Sequence, residues 1–412
     1  MITRVQIKNY RSLENVDIEL GGLTVLVGRN GAGKSNFVDA LKFVQESLEI
    51  GIRGAVGNRN GLASLRRWSA KGRPHEVEIC ISIKEGALSG TYGFVLAVSQ
   101  ENDFRVKREV CQVARGGKSP ISDEFEIREG RWVKKPFGFD ESQRASGQTL
   151  LLPGLFEQLN LNALFLPSIQ IMFDTPLKQV LLSLAGSRFF SIYPNTMREP
   201  QIFSTSRRMG DHGQYFSSAL RVLKQQWEEQ RKGRFSDLLA ALRRVVDDVS
   251  DVRVTSFGGY LVTEIRHDYQ DGSSSAEPGE GSPWFALSQE SEGTLRMLGL
   301  LIGLYQTNTT RSLLAVEEPE INIHPGALAV LADVFREVSA HRQVLLTTQS
   351  PDLISRFPAG DLRIVERVKG STHIGAIAES QRQAIEQQLF TTGDLLRIEG
   401  LYSSEEANAE HA

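Results

Sequence analysis

Residues 28–35 read GRNGAGKS, and this stretch constrains the fold more than any other. Gly28, Gly33, Lys34 and Ser35 match G-x-x-x-x-G-K-[ST], a loop whose glycines let backbone N–H groups turn inward and approach a phosphate closely. Such a loop needs a buried strand before it and an exposed helix N-terminus after it. The flanks supply both. Residues 23–27 (LTVLV) are a short apolar run, and Phe37, Leu41, Val44 and Leu48 recur at helical spacing from about Lys34. The loop therefore predicts an α/β core in which Lys34 reaches terminal phosphates and Ser35 ligates Mg²⁺.

Around the loop the first third of the chain reads as strands. Val5 and Ile7 alternate with polar residues, as do Val16, Ile18 and Leu20, which predicts a hairpin turning within 9–15. Alternation returns at Val77, Ile79, Ile81 and Ile83, and 94–98, 104–113 and 125–133 read as further strands. Residues 1–135 are thus one β-rich lobe. Residues 136–251 read as a largely helical insertion, punctuated by Pro153, Pro167, Pro176 and Pro194. Its clearest tract, 217–249, suits a packed helix pair better than a coiled-coil arm, because the apolar repeat is short and contains Gly233. Residues 252–400 form a C-terminal lobe: strands at 252–255 and 260–267, a Ser/Gly/Glu-rich loop at 271–283, then helix 294–306, strand 313–316, helix 326–340 and strand 343–348. Residues 401–412 read as a disordered tail.

Three further motifs lie in that lobe. LLAVEEPE (313–320) is an apolar strand ending in acids. Glu317 is placed to hold Mg²⁺ and Glu318 to orient and deprotonate an attacking water. A buried strand with a charged exit is the competing reading. QESEGTL (289–295) heads an apolar helix, where Ser291, Gly293 and the helix N-terminus offer a second phosphate-binding surface. An ordinary capped helix start reads the same residues as well. TTQSPDL (347–353) closes the next strand, and Gln349 is the candidate to reach a γ-phosphate; a plain turn before Pro351 is the alternative.

In this order the four motifs resemble the ATP-binding-cassette class of P-loop ATPases, and within it the soluble RecF-like, SMC-like and overcoming-lysogenization-defect-like branch with its stand-alone ATPases. NGAGKSN (30–36) carries Asn36 where transporter cassettes have Thr, and SEGT (291–294) resembles the branch's short signature in place of LSGGQ. The opening IKNYRSLENVDIEL (7–20) and EEPEINIHP (317–325) are similar to the branch as well. Lys34 and Glu317 stand 283 positions apart, which implies the branch's inserted helical segment. The resemblance implies an ABC/SMC-type head using ATP and Mg²⁺. Gly28, Arg29, Asn30, Gly31, Ala32, Gly33, Lys34, Ser35 and Asn36 would hold the nucleotide, and Ser35 and Glu317 the metal. Glu318, Glu317, Lys34 and Gln349 would do the chemistry. It implies a head-to-tail homodimer with Ser291 and Gly293 on the partner's ATP and 322–324 near the dimer contact. It further implies a role in DNA repair or defence against phage, on DNA or with a separately encoded effector.

Gln349 departs from the branch's usual His, and a neutral amide cannot take a proton. That keeps open an ATP-gated switch with little turnover. A transporter's nucleotide-binding subunit ranks lower, for want of LSGGQ and a docking Gln loop; Arg66 and Arg67 are the candidates for a related role, against a solvated charge pair. Too few residues follow Ser350 for the branch's C-terminal nuclease domain, so none is expected. Composition adds limits. Net charge is −3, although residues 1–135 hold 22 Lys/Arg against 16 Asp/Glu, a mild surplus that a solvated surface explains. Cys80 and Cys111 lack metal-ligand spacing and are expected as buried free thiols. The longest apolar stretch, 295–304, is too short to span a bilayer, and no leader pattern opens the chain, so a cytoplasmic protein without membrane partners is expected.

Overall fold

The computed structural model describes residues 1–68, 72–74, 76–99, 103–116, 121–136, 161–169, 175–204, 208–230, 234–268, 283–306 and 312–404. β1 (Ile2–Tyr10) and β2 (Leu13–Glu19) form the expected hairpin, with Val5 opposite Ile18 and Ile7 opposite Val16. The chain then leaves that sheet through β3 (Leu23–Val27), every residue of which is buried. After the helix α1 (Lys34–Glu46), β4 (Glu76–Glu85), β5 (Leu88–Val98), β6 (Phe104–Arg115), β7 (Ile121–Arg128) and β8 (Arg131–Lys134) extend the hairpin. The result is a seven-stranded antiparallel sheet in the order β2-β1-β4-β5-β6-β7-β8. The run 125–133, expected as one strand, breaks at Glu129 and Gly130, whose φ angles of 47° and 70° turn it into a hairpin.

The tract expected to be largely helical holds α2 (Leu177–Ala185), α3 (Phe216–Gln230) and α4 (Phe235–Arg243), but also strands. β9 (Arg188–Phe190) and β10 (Gln201–Ile202) lie within it, and β11 (Val249–Phe257) begins inside it. Strands of two or three residues show no periodicity, so helical punctuation swallowed them. The 217–249 tract is a helix pair, with the Trp227 and Phe235 rings 5.9 Å apart. β12 (Tyr260–His267) and β13 (Trp284–Ala286) complete a four-stranded sheet with β10 and β11. Residues 137–160, expected to be part of the helical tract, and 271–282 of the expected Ser/Gly/Glu-rich loop lie outside the described residues.

The C-terminal part alternates as expected: α5 (Glu292–Tyr305), β14 (Leu314–Glu317), α6 (Leu328–Ser339), β15 (Val344–Thr348), β16 (Leu362–Val368) and β17 (Ser371–Gly375). These strands recruit β3 and β9 into a six-stranded sheet ordered β17-β16-β3-β15-β14-β9, parallel except for β17. β3 lies in its interior. Leu26, Ala315 and Leu345 face α1 and the antiparallel sheet, while Val25, Val316 and Leu346 face α5 and α6. Apolar runs buried on both faces are what a parallel sheet covered on both sides requires.

Many charges of the first lobe are paired across the antiparallel sheet, by Arg4–Asp17 (2.6 Å), Lys8–Glu78 (3.1 Å) and Arg108–Glu126 (2.8 Å) among others, which leaves the net surplus of Lys/Arg as it was. Both cysteines are free; Cys111 is buried, whereas Cys80 is only partly covered. The first residues of the expected tail are packed: Leu401 is buried and Ser403 bridges to Ile377. Residues 405–412 lie outside the described set. Among the described residues, no helix is long and apolar enough to cross a membrane.

Candidate nucleotide site

The parallel sheet brings three motifs to one edge. β3 ends at Val27, β14 at Glu317 and β15 at Thr348, and the register pairs Glu317 with Thr347 and Thr348 with Val27. Residues 28–36, Glu317, Glu318 and Gln349 therefore meet at the carboxyl ends of adjacent strands, where open α/β sheets bind ligands.

The loop itself is built for close approach. Gly33 has a φ of 115°, and a Cβ there would stand 2.1 Å from Thr372 Oγ1. That hydroxyl donates to the Ala32 carbonyl (2.8 Å) and contacts Ser12 Oγ (2.6 Å). Asn36 Nδ2 donates to the same Ser12 Oγ (2.7 Å), so the amide at this position ties α1 to the β1–β2 turn. Arg29 and Asn30 are exposed at the loop's crest.

Lys34 is 5% exposed, and its ammonium donates to the Gly28 (2.7 Å) and Arg29 (3.2 Å) carbonyls. Burial lowers its pKa, opposed by the carboxylates of Glu318, Glu320 and Glu317. Burial raises the pKa of Glu317, partly offset by the Ser35 hydroxyl and by Lys42, with Asp39 and Glu318 pushing the same way as burial. Lys42 in turn pairs with Asp211 (2.5 Å). Among the described residues, no group of three or more His, Cys, Asp or Glu side chains forms a metal cage. The donor set fits Mg²⁺, which is held by one or two carboxylates completed by phosphate oxygens and water. Ser35, the first-turn hydroxyl of α1, and Glu317, at the end of β14, are the residues that could hold it.

Glu318 has a φ of 43°, a left-handed conformation that costs about 1–3 kcal/mol in a non-glycine residue. Its backbone is held at both ends. The N–H donates to Thr347 O (2.9 Å) and Thr347 Oγ1 (3.2 Å), and the carbonyl accepts from Arg296 Nη2 (2.7 Å). Glu320 closes the other side, accepting from Thr348 Oγ1 (2.6 Å) and from the Gln349 N–H (3.2 Å). Its second carboxylate oxygen is buried without a hydrogen-bond partner, as befits a polar atom awaiting a ligand or water. Gln349 is exposed beside it.

Ser291 and Gly293 are not brought to the loop. Ser291 caps α5 by accepting from Thr294 N (3.1 Å), as the capping reading expected. A Cβ at Gly293 would stand 2.7 Å from the Asn322 carbonyl, while Asn322 Nδ2 donates to Glu292 (2.8 Å). His324 Nδ1 accepts from the Gly326 N–H (3.1 Å). Arg66 and Arg67 also lie elsewhere: Arg66 reaches the Pro74 carbonyl, and Arg67 pairs with Glu14 (2.9 Å) and Ser371 (2.7 Å). Sequence reasoning missed Arg296, Glu320, Thr347 and the Lys42–Asp211 pair. Arg296 left a signal as the lone basic residue in the apolar helix EGTLRMLGLLIGLY, and Glu320 and Thr347 lay within LLAVEEPE and TTQSPDL without being singled out.

A P-loop between two parallel neighbours, with acids at the end of the next strand but one, defines a P-loop ATPase fold of the SMC-head type. Residues 23–355 match the family described as "AAA domain, putative AbiEii toxin, Type IV TA system", and the chain belongs to that family. It is 50% identical over 44 residues to the OLD nuclease of Thermus scotoductus (11% of this chain, 8% of that protein). It is 21% identical over 425 aligned residues to Endonuclease GajA of Bacillus cereus (97% of this chain, 65% of that protein). The chain thus spans less than two thirds of either curated relative. A solved SMC head, bound to the C-winged helix domain of ScpA, superposes with a TM-score of 0.51 at 13% identity, covering 93% of this chain and 99% of that one. At that identity the likeness concerns the fold alone.

Proposed function

We propose that this chain binds and hydrolyses ATP with Mg²⁺, and that two copies close head to tail around the nucleotide. The cycle would serve DNA repair or defence against phage, acting on nucleic acid or through a separately encoded effector. One observation carries the reading: the buried Lys34 of the P-loop lies in the field of Glu317, Glu318 and Glu320, across 283 positions of sequence. The names of the two relatives, both nucleases, support a nucleic-acid setting.

Bound Mg-ATP supplies the phosphoanhydride and the divalent charge. The chain's own residues do the rest. Lys34, now on two loop carbonyls, turns its ammonium to the β- and γ-phosphates. The N–H groups of residues 31–36 and the α1 N-terminus cradle them. Ser35 and Glu317 hold the metal. Glu318 accepts a proton from the attacking water, and Gln349 hydrogen-bonds at the γ-phosphate. Ser291 and Gly293, at the N-terminus of α5, serve the partner's nucleotide. ATP turnover and sedimentation of wild type and Glu318→Gln test this. The substitution should lower turnover by about 10²-fold or more and hold the ATP-bound dimer. Unchanged turnover, or no ATP-dependent change in assembly, sinks the proposal. Gln349 supports a second reading, an ATP-gated switch, because its amide takes no proton; near-zero turnover with tight Mg-ATP binding would favour it.

A further inference from the structure

Arg296 belongs to neither the P-loop nor the acidic strand, yet it is 4% exposed and both its terminal nitrogens are committed. Nη1 donates to the Ile192 carbonyl (2.7 Å) and Nη2 to the Glu318 carbonyl (2.7 Å). Ile192 lies just beyond β9, in a loop whose neighbours Ser191 and Tyr193 donate to the Asp211 (2.9 Å) and His212 (3.3 Å) carbonyls. Asp211 in turn pairs with Lys42. A single guanidinium therefore joins α5, the loop after β9 and the end of β14. Burying a guanidinium is costly, which lowers its pKa here against the pull of Glu320 and Glu318.

Two further contacts run along the same side of α5. Glu292 accepts from Asn322, and Gly293 lies against the Asn322 carbonyl. Position 296 is four from 292 and three from 293, so Arg296 neighbours each of them on the helix surface. Together these residues fasten the segment from Glu318 to Asn322 at both ends. Glu318 and Asn322 have φ angles of 43° and 60°, conformations that persist only where surrounding contacts hold them.

We infer that Arg296 is a positioning residue that couples the N-terminus of α5 to the backbone of Glu318. Through it, a displacement of Ser291 and Gly293 is felt at Glu318 of the same chain. This rests on the proposed function in one respect: the output of the coupling is the carboxylate proposed as general base. The mechanical half stands without it. With Arg296 in place, the Glu318 carbonyl is pinned and its carboxylate aimed; without it, the left-handed turn relaxes while the P-loop is untouched.

The test uses the full chain and the variants Arg296→Met and Arg296→Lys. Hydrogen–deuterium exchange is read first, without nucleotide. The amides of 318 and 320–323 should exchange at least about tenfold faster in Arg296→Met, with residues 31–36 unchanged. Steady-state ATPase kinetics are read second. Arg296→Met should lower kcat by about ten- to a hundredfold with KM altered less than about twofold, the pattern of a misaimed base rather than a damaged binding loop. Arg296→Lys, which retains a cation and one reachable carbonyl, should recover part of both. If Arg296→Met does not fold, Arg296→Lys is compared with wild type on the same two measurements. Unchanged exchange at 318 and 320–323, or a loss expressed in KM alone, overturns the inference. If wild type hydrolyses no ATP while the exchange result holds, the ATPase reading has failed and the coupling has not.

Discussion

Glu109 shows what a single residue can carry outside the site. Its carboxyl is buried in the antiparallel sheet and accepts from Phe165 N (2.6 Å), Leu166 N (3.0 Å) and the Tyr92 hydroxyl (3.0 Å). Burial nonetheless raises its pKa from 4.5 to about 7. A carboxyl whose folded pKa stands above its unfolded value holds its proton more tightly when folded. Its contribution is therefore fully present below pH 4.5 and is lost as pH rises through about 7. Urea unfolding of wild type and Glu109→Gln at pH 5 and pH 8 isolates it. The stability of wild type relative to the variant should fall by about 2–3 kcal/mol between the two. An equal difference at both would reject the assignment. Gly33→Ala is the matching case inside the loop. A Cβ at a φ of 115° and 2.1 Å from Thr372 should destabilise the chain by about 1–3 kcal/mol and abolish the shift in melting temperature on adding Mg-ATP, both read by thermal melts. The candidate site's residue types were legible because phosphate binding needs Gly, Lys and Ser at set spacing. The left-handed turn at Glu318 was not. It depends on Thr347 and Arg296, and no local pattern announces a backbone held by partners 29 and 22 positions away.

Elements with their own periodicity were legible in the sequence, and those defined only by a partner were not. The hairpin β1–β2, α1, β14, α6 and β15 follow the expected spacing. β9 is three residues long and exists because β14 offers it an edge: Arg188, Phe189 and Phe190 pair with Leu314, Ala315 and Val316. The joint between the two large sheets is likewise invisible locally. Gln343 precedes β15, and its buried amide accepts from Ile2 N (2.8 Å) and donates to the Ile2 (2.6 Å) and Gly21 (2.9 Å) carbonyls. One side chain thus fastens the start of β1 and the entry to β3 against the start of β15. Gln343→Leu keeps the volume and leaves three backbone groups without that partner. Each such group costs about 1–3 kcal/mol when it stays buried. The variant should lose about 3 kcal/mol in urea unfolding, since partial rehydration at the half-buried Gly21 carbonyl softens the sum. A loss under about 1 kcal/mol would mean that the two sheets are held by their apolar contacts alone.

At the scale of the molecule, the chain folds back so that β3 sits between β15 and β16 from its far end, which brings the P-loop to the acids that end β14. Lys34, Ser35, Glu317 and Glu318 are gathered in one chain, whereas Ser291 and Gly293 contact Thr294 and Asn322 rather than the P-loop. If the complete site is composite, defects in the two halves must complement. A Lys34→Ala chain lacks the loop cation, and a Ser291→Arg chain places bulk and charge on the surface offered to the partner. Each alone should be inactive. In an equal mixture half of the dimers are mixed, and in each of those one of the two sites has an intact Lys34 from one chain and an intact Ser291 from the other. Turnover should then recover to about a quarter of wild type, provided that each site works alone in a two-fold dimer. Mixing should also restore ATP-dependent sedimentation as a dimer. No recovery from chains that are folded by their melting curves would place the whole reaction within one subunit and remove α5 from the site.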